Sequence, residues 1–251
     1  MKQAILLILL MLTMTSSGFA QQFTYYYPEI ASGSYGEGYW QTTIFLTNTT
    51  APGGPRASGS ITFKRDDGSP LNLTMTDSDG NVLSGSTIGF QLAGGETKKY
   101  VSVPDTGLTG GFATVTATAP VMGTAMFTQS SSDGQMLGES GVPATIPINK
   151  QAILVDTTNG YKTGVAVANP NSTPLPITFQ LLNGAAQVVA SQTMNLPPFQ
   201  HFSIFIHEMF PSVGPLVGRL QFSSTNPMTA VGLRFDPSLV LFTTLPPIAV
   251  Q

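Results

Sequence analysis

The stretch Tyr161–Gly184, YKTGVAVANPNSTPLPITFQLLNG, decides the fold. It predicts two short strands joined by an Asn-Pro turn and closed by an Asn-Gly turn, because Asn, Pro and Gly favour turn geometries. A related stretch, Trp40–Gly68, repeats the pattern with three matched pairs of positions: Trp40 and Tyr161, Thr42 and Thr163, Asn48 and Asn169. The sequence therefore indicates one β-unit written twice, and an internal repeat decides the architecture before any local assignment.

Each copy of the repeat consists of short segments in which apolar and polar residues alternate, separated by Gly, Pro, Asn and Asp. About seven such segments over roughly 100 residues are typical of an immunoglobulin-like sandwich. We therefore predict an all-β fold of two tandem immunoglobulin-like (fibronectin III-like) antiparallel β-sandwiches after a cleaved signal peptide. The predicted boundaries are 1–20 for the signal peptide, 21–148 for the first sandwich and 149–251 for the second.

Three local features refine this prediction. The aromatic segment Phe23–Tyr27 favours a first strand, which Pro28 is expected to end. Asp77–Asn81 contains Asp-Gly, the dipeptide typical of a tight hairpin turn. Phe205–Phe210 breaks the strict alternation of its surroundings, which favours a single helical turn.

The first twenty residues have the pattern of a secretory signal peptide. Lys2 supplies a positive charge, Ile5–Leu12 is an apolar run, and Gly18–Ala20 offers small residues before a cleavage point after Ala20. The run is well short of the ~20 apolar residues that a spanning helix needs, and no later segment is apolar for long enough. We expect an exported protein without a transmembrane segment, at the cell surface, outside the cell or in the periplasm.

Composition excludes several classes of function. The formal net charge is −3 and basic residues are not clustered, which argues against nucleic acid as a partner. The chain has no cysteine, so disulfides and thiolate zinc sites are excluded. Hydrophobic residues make up 41% of the chain, enough for packed cores rather than disorder.

Five segments, in this order, carry a resemblance to a known family: YYYPEIASG…WQTTIFLTN, ESGVPA, TGVAVANP, LPPFQHFSIFIHEMFP and GLRF…LFTTLPP. The chain resembles, over essentially its whole mature length, a functionally uncharacterised family of exported bacterial proteins with paired immunoglobulin-like β-sandwich repeats. The resemblance implies the fold and the exported location. It implies no catalytic or binding residue.

His201, His207 and Glu208 are the first candidates for catalytic or metal chemistry. A zinc-protease helix carries His-Glu-x-x-His, but His207-Glu208 is followed by Met, Phe and Pro, with no second His. His201 falls on the outward face of its predicted strand, in the position of Thr97 in the first repeat. We therefore expect these side chains to be exposed polar residues, with Glu208 near a helix start.

Asp77 and Asp79 are weak calcium candidates, because Asp77–Asn81 begins like a calcium-binding loop. A loop of the EF-hand type also needs a bidentate Glu at its end, which is missing here. Other acids, Asp66, Asp67 and Asp133, would contribute only if the fold brought them close. The favoured interpretation is a hairpin turn, with no cofactor.

Tyr35, Tyr39 and Trp40 belong to a cluster of aromatic residues that could present a flat platform to sugar rings. The competing interpretation is that Trp40, matched by Tyr161, is core packing at the start of a strand. We keep both, and take these three residues as the candidate ligand site.

Motifs for nucleophilic catalysis and phosphate binding are incomplete. Gly138–Val142 lacks the final glycine of a nucleophile elbow and the strand-to-helix context. Paired carboxylates could form only between the domains. The sequence thus predicts a non-enzymatic structural, adhesion or interaction module with a protein or polysaccharide partner at the cell envelope, its oligomeric state left open. The alternatives are a carbohydrate-binding protein and, less favoured, a hydrolase with an interdomain site.

Overall fold

A computed structural model describes residues 22–250 of the protein. These residues form antiparallel β-sheets with a single short α-helix and one 3-10 turn, so the all-β prediction is confirmed. The predicted signal peptide lies outside the described residues. No helix within them is long and apolar enough to cross a membrane.

Ten strands form the first half of the described chain. Their bounds are β1 Phe23–Tyr35, β2 Gly38–Asn48, β3 Ala57–Arg65, β4 Leu73–Asp77, β5 Val82–Gly85, β6 Thr87–Leu92, β7 Thr97–Ser102, β8 Thr109–Ala117, β9 Val121–Ser131 and β10 Met136–Pro143. The predicted hairpin turn at Asp77–Asn81 joins β4 to β5 and is confirmed.

The second half follows with eight strands. Their bounds are β11 Ile148–Asp156, β12 Lys162–Ala168, β13 Leu175–Asn183, β14 Val188–Leu196, β15 His201–Phe205, β16 Val217–Phe235, β17 Phe242–Leu245 and β18 Ile248–Ala249. A 3-10 turn at Thr158–Gly160 precedes β12, and helix α1, Ile206–Met209, follows β15. The predicted single helical turn is confirmed.

The two halves pair their strands in the same order. In the first half, β1-β8-β3-β6 lie side by side, as do β10-β9-β2-β7, which continues into β4 and β5. The second half has β11-β16-β13-β14 and β17-β16-β12-β15. One long strand, β16, thus occupies in the second half the positions that β8 and β9 occupy in the first half. In the first half β1 also pairs with β2 at Gly33–Tyr35, so its ten strands make one continuous hydrogen-bonded system.

Buried asparagines occupy matching places in the two halves. Asn48 is the last residue of β2 and Asn169 directly follows β12, and both are 0% exposed. The side-chain amide of Asn48 donates to the main-chain carbonyls of Pro55 and Leu92, and that of Asn169 donates to those of Thr173, Leu196 and Pro197. Because a buried amide must find partners, each asparagine fastens a loop to its neighbouring strand.

The core has two parts that meet through one sheet of the second half. Val165 and Val167 on β12 pack into the second core cluster, whereas Ala166 between them belongs to the first. Val231 on β16 and Phe242 on β17 also belong to the first cluster. Since successive side chains alternate between faces, the outer face of this sheet is covered by the first half of the chain.

The prediction that Pro28 ends the first strand is wrong, because β1 continues to Tyr35. Residue Tyr27 pairs with Ala113 and Ile30 pairs with Gly111, so two residues of β1 oppose one of β8. Proline has no N–H to donate to the ladder and is therefore tolerated at such a bulge. The bulge turns Glu29, the residue after Pro28, into the interior.

Candidate functional site: the cleft between the two halves

His201 is buried, not exposed as predicted, and its side chain is 0% exposed. The predicted register is right: His201 pairs with Ala168 in the same way as Thr97 pairs with Thr47, and Thr97 is exposed. The difference arises because the first half packs over the outer face of β15. Burial at this position is therefore a consequence of contact between the halves.

Two carboxylates of the first half flank the His201 ring, and we call this trio the His201 link. Nδ1 lies 2.9 Å from Asp66 Oδ1, and Nε2 lies 3.3 Å from Glu29 Oε2. The second contact is not aligned as a hydrogen bond, so it acts mainly through charge. The main-chain N–H of His201 also donates to the carbonyl of Asp66 at 3.1 Å.

Three different elements supply the His201 link. Glu29 comes from the bulge of β1 and is 8% exposed, Asp66 follows β3, and His201 begins β15. The carboxyl group of Asp66 is more open, with 63% of its side chain exposed. The link thus joins a buried acid, a buried base and a solvated acid across the two halves.

The environment of His201 keeps its ring protonated. Burial by itself lowers the pKa of His201, but the charge of Glu29 and the hydrogen bond to Asp66 outweigh burial and raise that pKa to about 9. At neutral pH the ring is therefore an imidazolium, in which both nitrogens carry a proton. Such a ring is an ion-pair partner and a poor general base.

The turn after β3 packs against the residues that precede β15, beside the His201 link. Gln200 Nε2 donates to the carbonyl of Asp67 at 3.1 Å, and the Lys64 ammonium lies 4.8 Å from the centre of the Phe199 ring. Gly68 has φ of +81°, and a Cβ there would lie 3.1 Å from the Phe199 carbonyl oxygen. Glycine is therefore required at this close approach.

Next to the link, an open cleft of about 550 Å³ separates the two halves. Its walls are mainly apolar and include the aromatic rings of Trp40, Phe205 and Phe235. Three carboxylate residues also line it: Glu29, Asp66 and Glu208. A mostly apolar cavity with a few converging polar groups is the usual form of a small-ligand site, and we call it the interhalf cleft.

The aromatic wall of the interhalf cleft is one connected row. Phe205 meets Phe235 edge-on at 5.6 Å, Phe235 stacks on Phe242 at 5.4 Å, and Trp40 lies 5.1 Å from Phe242. Such contacts stabilise a packed arrangement beyond the area that they bury. The row joins Trp40 of the first half to the second half, so the wall is rigidly held.

The structure places one of the three predicted ligand residues in the lining of the interhalf cleft. Trp40 lines the interhalf cleft, but Tyr35 and Tyr39 do not. Tyr35 lies 6.5 Å from Trp40, and its hydroxyl accepts a hydrogen bond from Gln129 Nε2 at 2.5 Å. Tyr39 and Trp40 are neighbours on β2, where successive side chains point to opposite faces. Tyr39 therefore points to the other face of β2, away from Trp40, whereas Tyr35 lies beside Trp40.

The calcium candidates lie at the tip of the β4–β5 hairpin. Asp77 Oδ1 accepts hydrogen bonds at 2.9 Å from the main-chain N–H groups of Asp79 and Asn81. The side-chain amide of Asn81 is the main cause that lowers the pKa of Asp77 below its ordinary value. Asp79 pairs with Lys98 at 2.6 Å. Within residues 22–250, no group of three or more His, Cys, Asp or Glu is placed to hold a metal ion.

The remaining candidate residues take structural positions. His207 and Glu208 are exposed on α1, and Glu208 Oε2 accepts a hydrogen bond from the N–H of Phe205, at the helix start. Ser140, in the incomplete nucleophile motif, hydrogen-bonds to Thr244 Oγ1 at 2.7 Å and so links β10 to β17. Neither arrangement sets a nucleophile beside a base.

Sequence reasoning missed Glu29 and considered Asp66 only as a calcium ligand. One signal pointed to Glu29: it is a lone acid directly after a proline, inside a run of aromatic and aliphatic residues. A proline within a strand pattern indicates a bulge, and bulges often re-aim side chains at functional places. The role of Asp66 had no local signal.

No protein-family model matches the sequence, and no curated protein is significantly similar to it. The function must therefore be inferred from the site itself and not from relatives.

Proposed function

We propose that the protein is an exported, non-catalytic structural, adhesion or protein-interaction module, acting at the cell surface or in the periplasm. In this proposal it consists of two tandem immunoglobulin-like sandwiches, divided at 148/149, and belongs to the exported family that it resembles. The matching strand orders of the two halves support the duplication. Its partner would be a protein or polysaccharide of the cell envelope.

The observation that carries the proposal is the enclosure of His201. Its side chain is 0% exposed, and both ring nitrogens face carboxylates. A catalytic base must reach a proton on the substrate, either directly or through one water. His201 instead ties the halves together, which supports a structural use for the group best suited to acid–base chemistry.

Open sheet edges favour an interaction role. Strand β14 lies at the end of its sheet and pairs only with β13, while Val188 and Val189 on it are 51% and 41% exposed. Strand β5 forms another edge, where Val82 is 68% exposed. Unpaired edge strands with apolar side chains can accept a further strand from a partner.

The test combines size-exclusion chromatography with light scattering on the mature chain, 21–251, over a range of concentrations and with envelope fractions. We expect self-association or complex formation that Val188→Lys weakens, because a charge on an edge strand opposes strand addition. Thr193→Lys adds the same charge at another exposed position of β14 and tests whether any added charge on this strand weakens the association. Turnover of ester, glycoside or peptide substrates that His201→Gln abolishes would refute the proposal.

Carbohydrate binding is a second candidate, and the position of Trp40 in the lining of the interhalf cleft favours it. Trp40 is the only tryptophan, so its fluorescence reports on this place alone. Titration with envelope polysaccharides should quench or shift its emission. An unchanged spectrum with every polysaccharide would remove this candidate.

A further inference from the structure

We propose that the interhalf cleft binds a primary ammonium group carried on an apolar body, with Glu29 and Asp66 as its acceptors. The inference rests on the proposed non-catalytic function in one respect, since the ligand is held and not converted. The ammonium can come from a free amine or from a lysine side chain of a partner protein.

Glu29 presents an oxygen without a donor to the cleft. The residue is 8% exposed, and Oε2 is the oxygen that faces His201. Within residues 22–250, Oε1 accepts no hydrogen bond. Oε1 is not fully buried but open to the cleft, so a ligand N–H can reach it and donate to it.

Asp66 points an oxygen at the same place. A Cβ built on Gly110 would lie 3.7 Å from Glu29 Oε1 and 3.9 Å from Asp66 Oδ1. Because Gly110 has no side chain, the space in front of both oxygens is open. An ammonium has three N–H donors and can serve two carboxylates at once.

The charge of the lining favours a cation. Within residues 22–250, the lining holds three acids, Glu29, Asp66 and Glu208, and no Lys or Arg. Two cations lie beside it: the imidazolium of His201, against Glu29 and Asp66, and the Lys162 ammonium, 5.6 Å from the centre of the Phe205 ring. Glu208 Oε2 accepts from the Phe205 N–H and Asp66 Oδ1 accepts from His201 Nδ1, so Glu29 Oε1 is the freest of these acceptors and Asp66 assists it. An excess of negative charge with low-dielectric walls attracts cations and repels anions.

The apolar walls define the rest of the ligand. Trp40, Phe205, Phe235 and Leu233 line the cleft, and its volume of about 550 Å³ falls in the range typical of small organic ligands. Trp40 and Phe235 both pack on Phe242. Rings engaged with one another offer apolar contact, which suits a hydrocarbon body.

Trp40 fluorescence of the mature chain tests the proposal with three probes of one shape at pH 7.5. These are 2-phenylethylamine, 2-phenylethanol and phenylacetate, which are cationic, neutral and anionic. We expect the amine to bind at least about tenfold more tightly than the alcohol, as expected for a hydrogen bond to a charged acceptor. Equal affinity for the alcohol, or preference for phenylacetate, would overturn the proposal.

A second arm distinguishes the two sources of the ammonium. It compares the blocked dipeptide acetyl-Phe-Lys-amide with acetyl-Phe-norleucine-amide, which lacks only the ammonium group. Tighter binding of the lysine dipeptide than of 2-phenylethylamine assigns the site to a partner's lysine, and the reverse assigns it to a free amine. Wherever a dipeptide binds, the lysine form must exceed the norleucine form; equal measurable binding of the two dipeptides counts against the ammonium.

Two variants test the position of the site. Gly110→Ala places a methyl group at ordinary contact distance from its neighbours, so the fold is kept while the approach to both oxygens is narrowed. Gly89→Ala is the matched control on β6, where the nearest atom to the new Cβ is the Gly59 oxygen at 3.9 Å. We expect the amine affinity to fall about tenfold for Gly110→Ala and to stay unchanged for Gly89→Ala.

A third variant, Asp66→Asn, keeps the side-chain shape at a largely exposed position and removes the charge. It should also lower the amine affinity while the alcohol affinity stays the same. Wild-type amine binding in both Gly110→Ala and Asp66→Asn would refute the assignment. If the amines fail but the chain still associates through β14, the ligand inference fails while the proposed function stands.

Discussion

The stability of the fold should fall as the pH rises from about 6.5 to 9, because the His201 link loses its positive charge. The pKa of His201 is about 9 in the folded protein, against an ordinary value of 6.5. A group with a raised folded-state pKa contributes its full stability below the unfolded pKa and loses it as the pH rises through the folded pKa. The difference corresponds to roughly 3 kcal/mol of unfolding free energy.

The substitution His201→Gln removes the charge and keeps a side chain that can donate one hydrogen bond. Glu29, whose side chain is 11% exposed, then has no counter-charge, whereas Asp66 is 63% exposed and remains hydrated. Removing one partner of a buried ion pair costs about 3–5 kcal/mol. Because only one acid is buried, we expect about 3 kcal/mol at pH 6.5, and a much smaller difference near pH 9.5.

The assay is urea unfolding followed by Trp40 fluorescence at several pH values between 6 and 9.5. The chain has two histidines and no cysteine, so few other groups titrate in this window. His207→Gln is the matched control, because His207 is exposed on α1 and forms no ion pair with a described residue. Burial raises the pKa of Tyr100 to about 12, which keeps that group out of the window.

The wild type and His207→Gln should lose stability together as the pH rises, while His201→Gln stays nearly level. A wild-type unfolding free energy that does not change between pH 6.5 and 9.5 would refute the reasoning. The same conclusion would follow if His201→Gln kept the wild-type slope, since another group would then cause the pH dependence.

Three further predictions concern other polar contacts. Asn169→Ala should cost about 2–3 kcal/mol in urea unfolding, since the buried Leu196 carbonyl and the partly buried Thr173 and Pro197 carbonyls lose their donor. Asn195→Ala, at an exposed position, should cost little, and equal losses would contradict this account. Arg234→Met should lower the unfolding free energy by only about 1 kcal/mol, because the ion pair of Arg234 with Asp156 is partly exposed. The loss should be smaller at high salt, and a loss unaffected by salt would argue against an ionic contribution. Calcium should not raise the melting temperature relative to chelator, because Asp77 accepts its hydrogen bonds from the turn; a rise of several degrees that Asp77→Asn removes would establish a calcium site.

Local patterns in the sequence predicted the strands well, and the reason is visible in β12 and β6. Val165 and Val167 alternate with small residues, and Ile88, Phe90 and Leu92 alternate with exposed ones. Side-chain direction in a strand depends only on position along it, so alternation can be recognised without knowledge of partners. The match between Asn48 and Asn169 was equally local, because each fastens its own loop.

Glu29 shows where such reasoning stops. Its burial depends on a bulge in β1, and the length of the strand beyond Pro28 depends on pairing with Thr109–Gly111 of β8. The sequence carries the proline but not the partner that accommodates it. The prediction that Pro28 ends the strand was wrong for this reason.

By itself, the sequence determined that the protein is all-β, where the hairpin turn and the short helix lie, and on which face of its strand His201 stands. All of these depend on residues close together in the chain. Only the tertiary structure decided that the first half covers the outer face of β15, that His201 contacts Asp66, 135 positions away in the sequence, and that a cleft opens beside them. The physical reason is that burial and charge pairing at a contact between halves depend on how the two surfaces dock, and no local pattern encodes that.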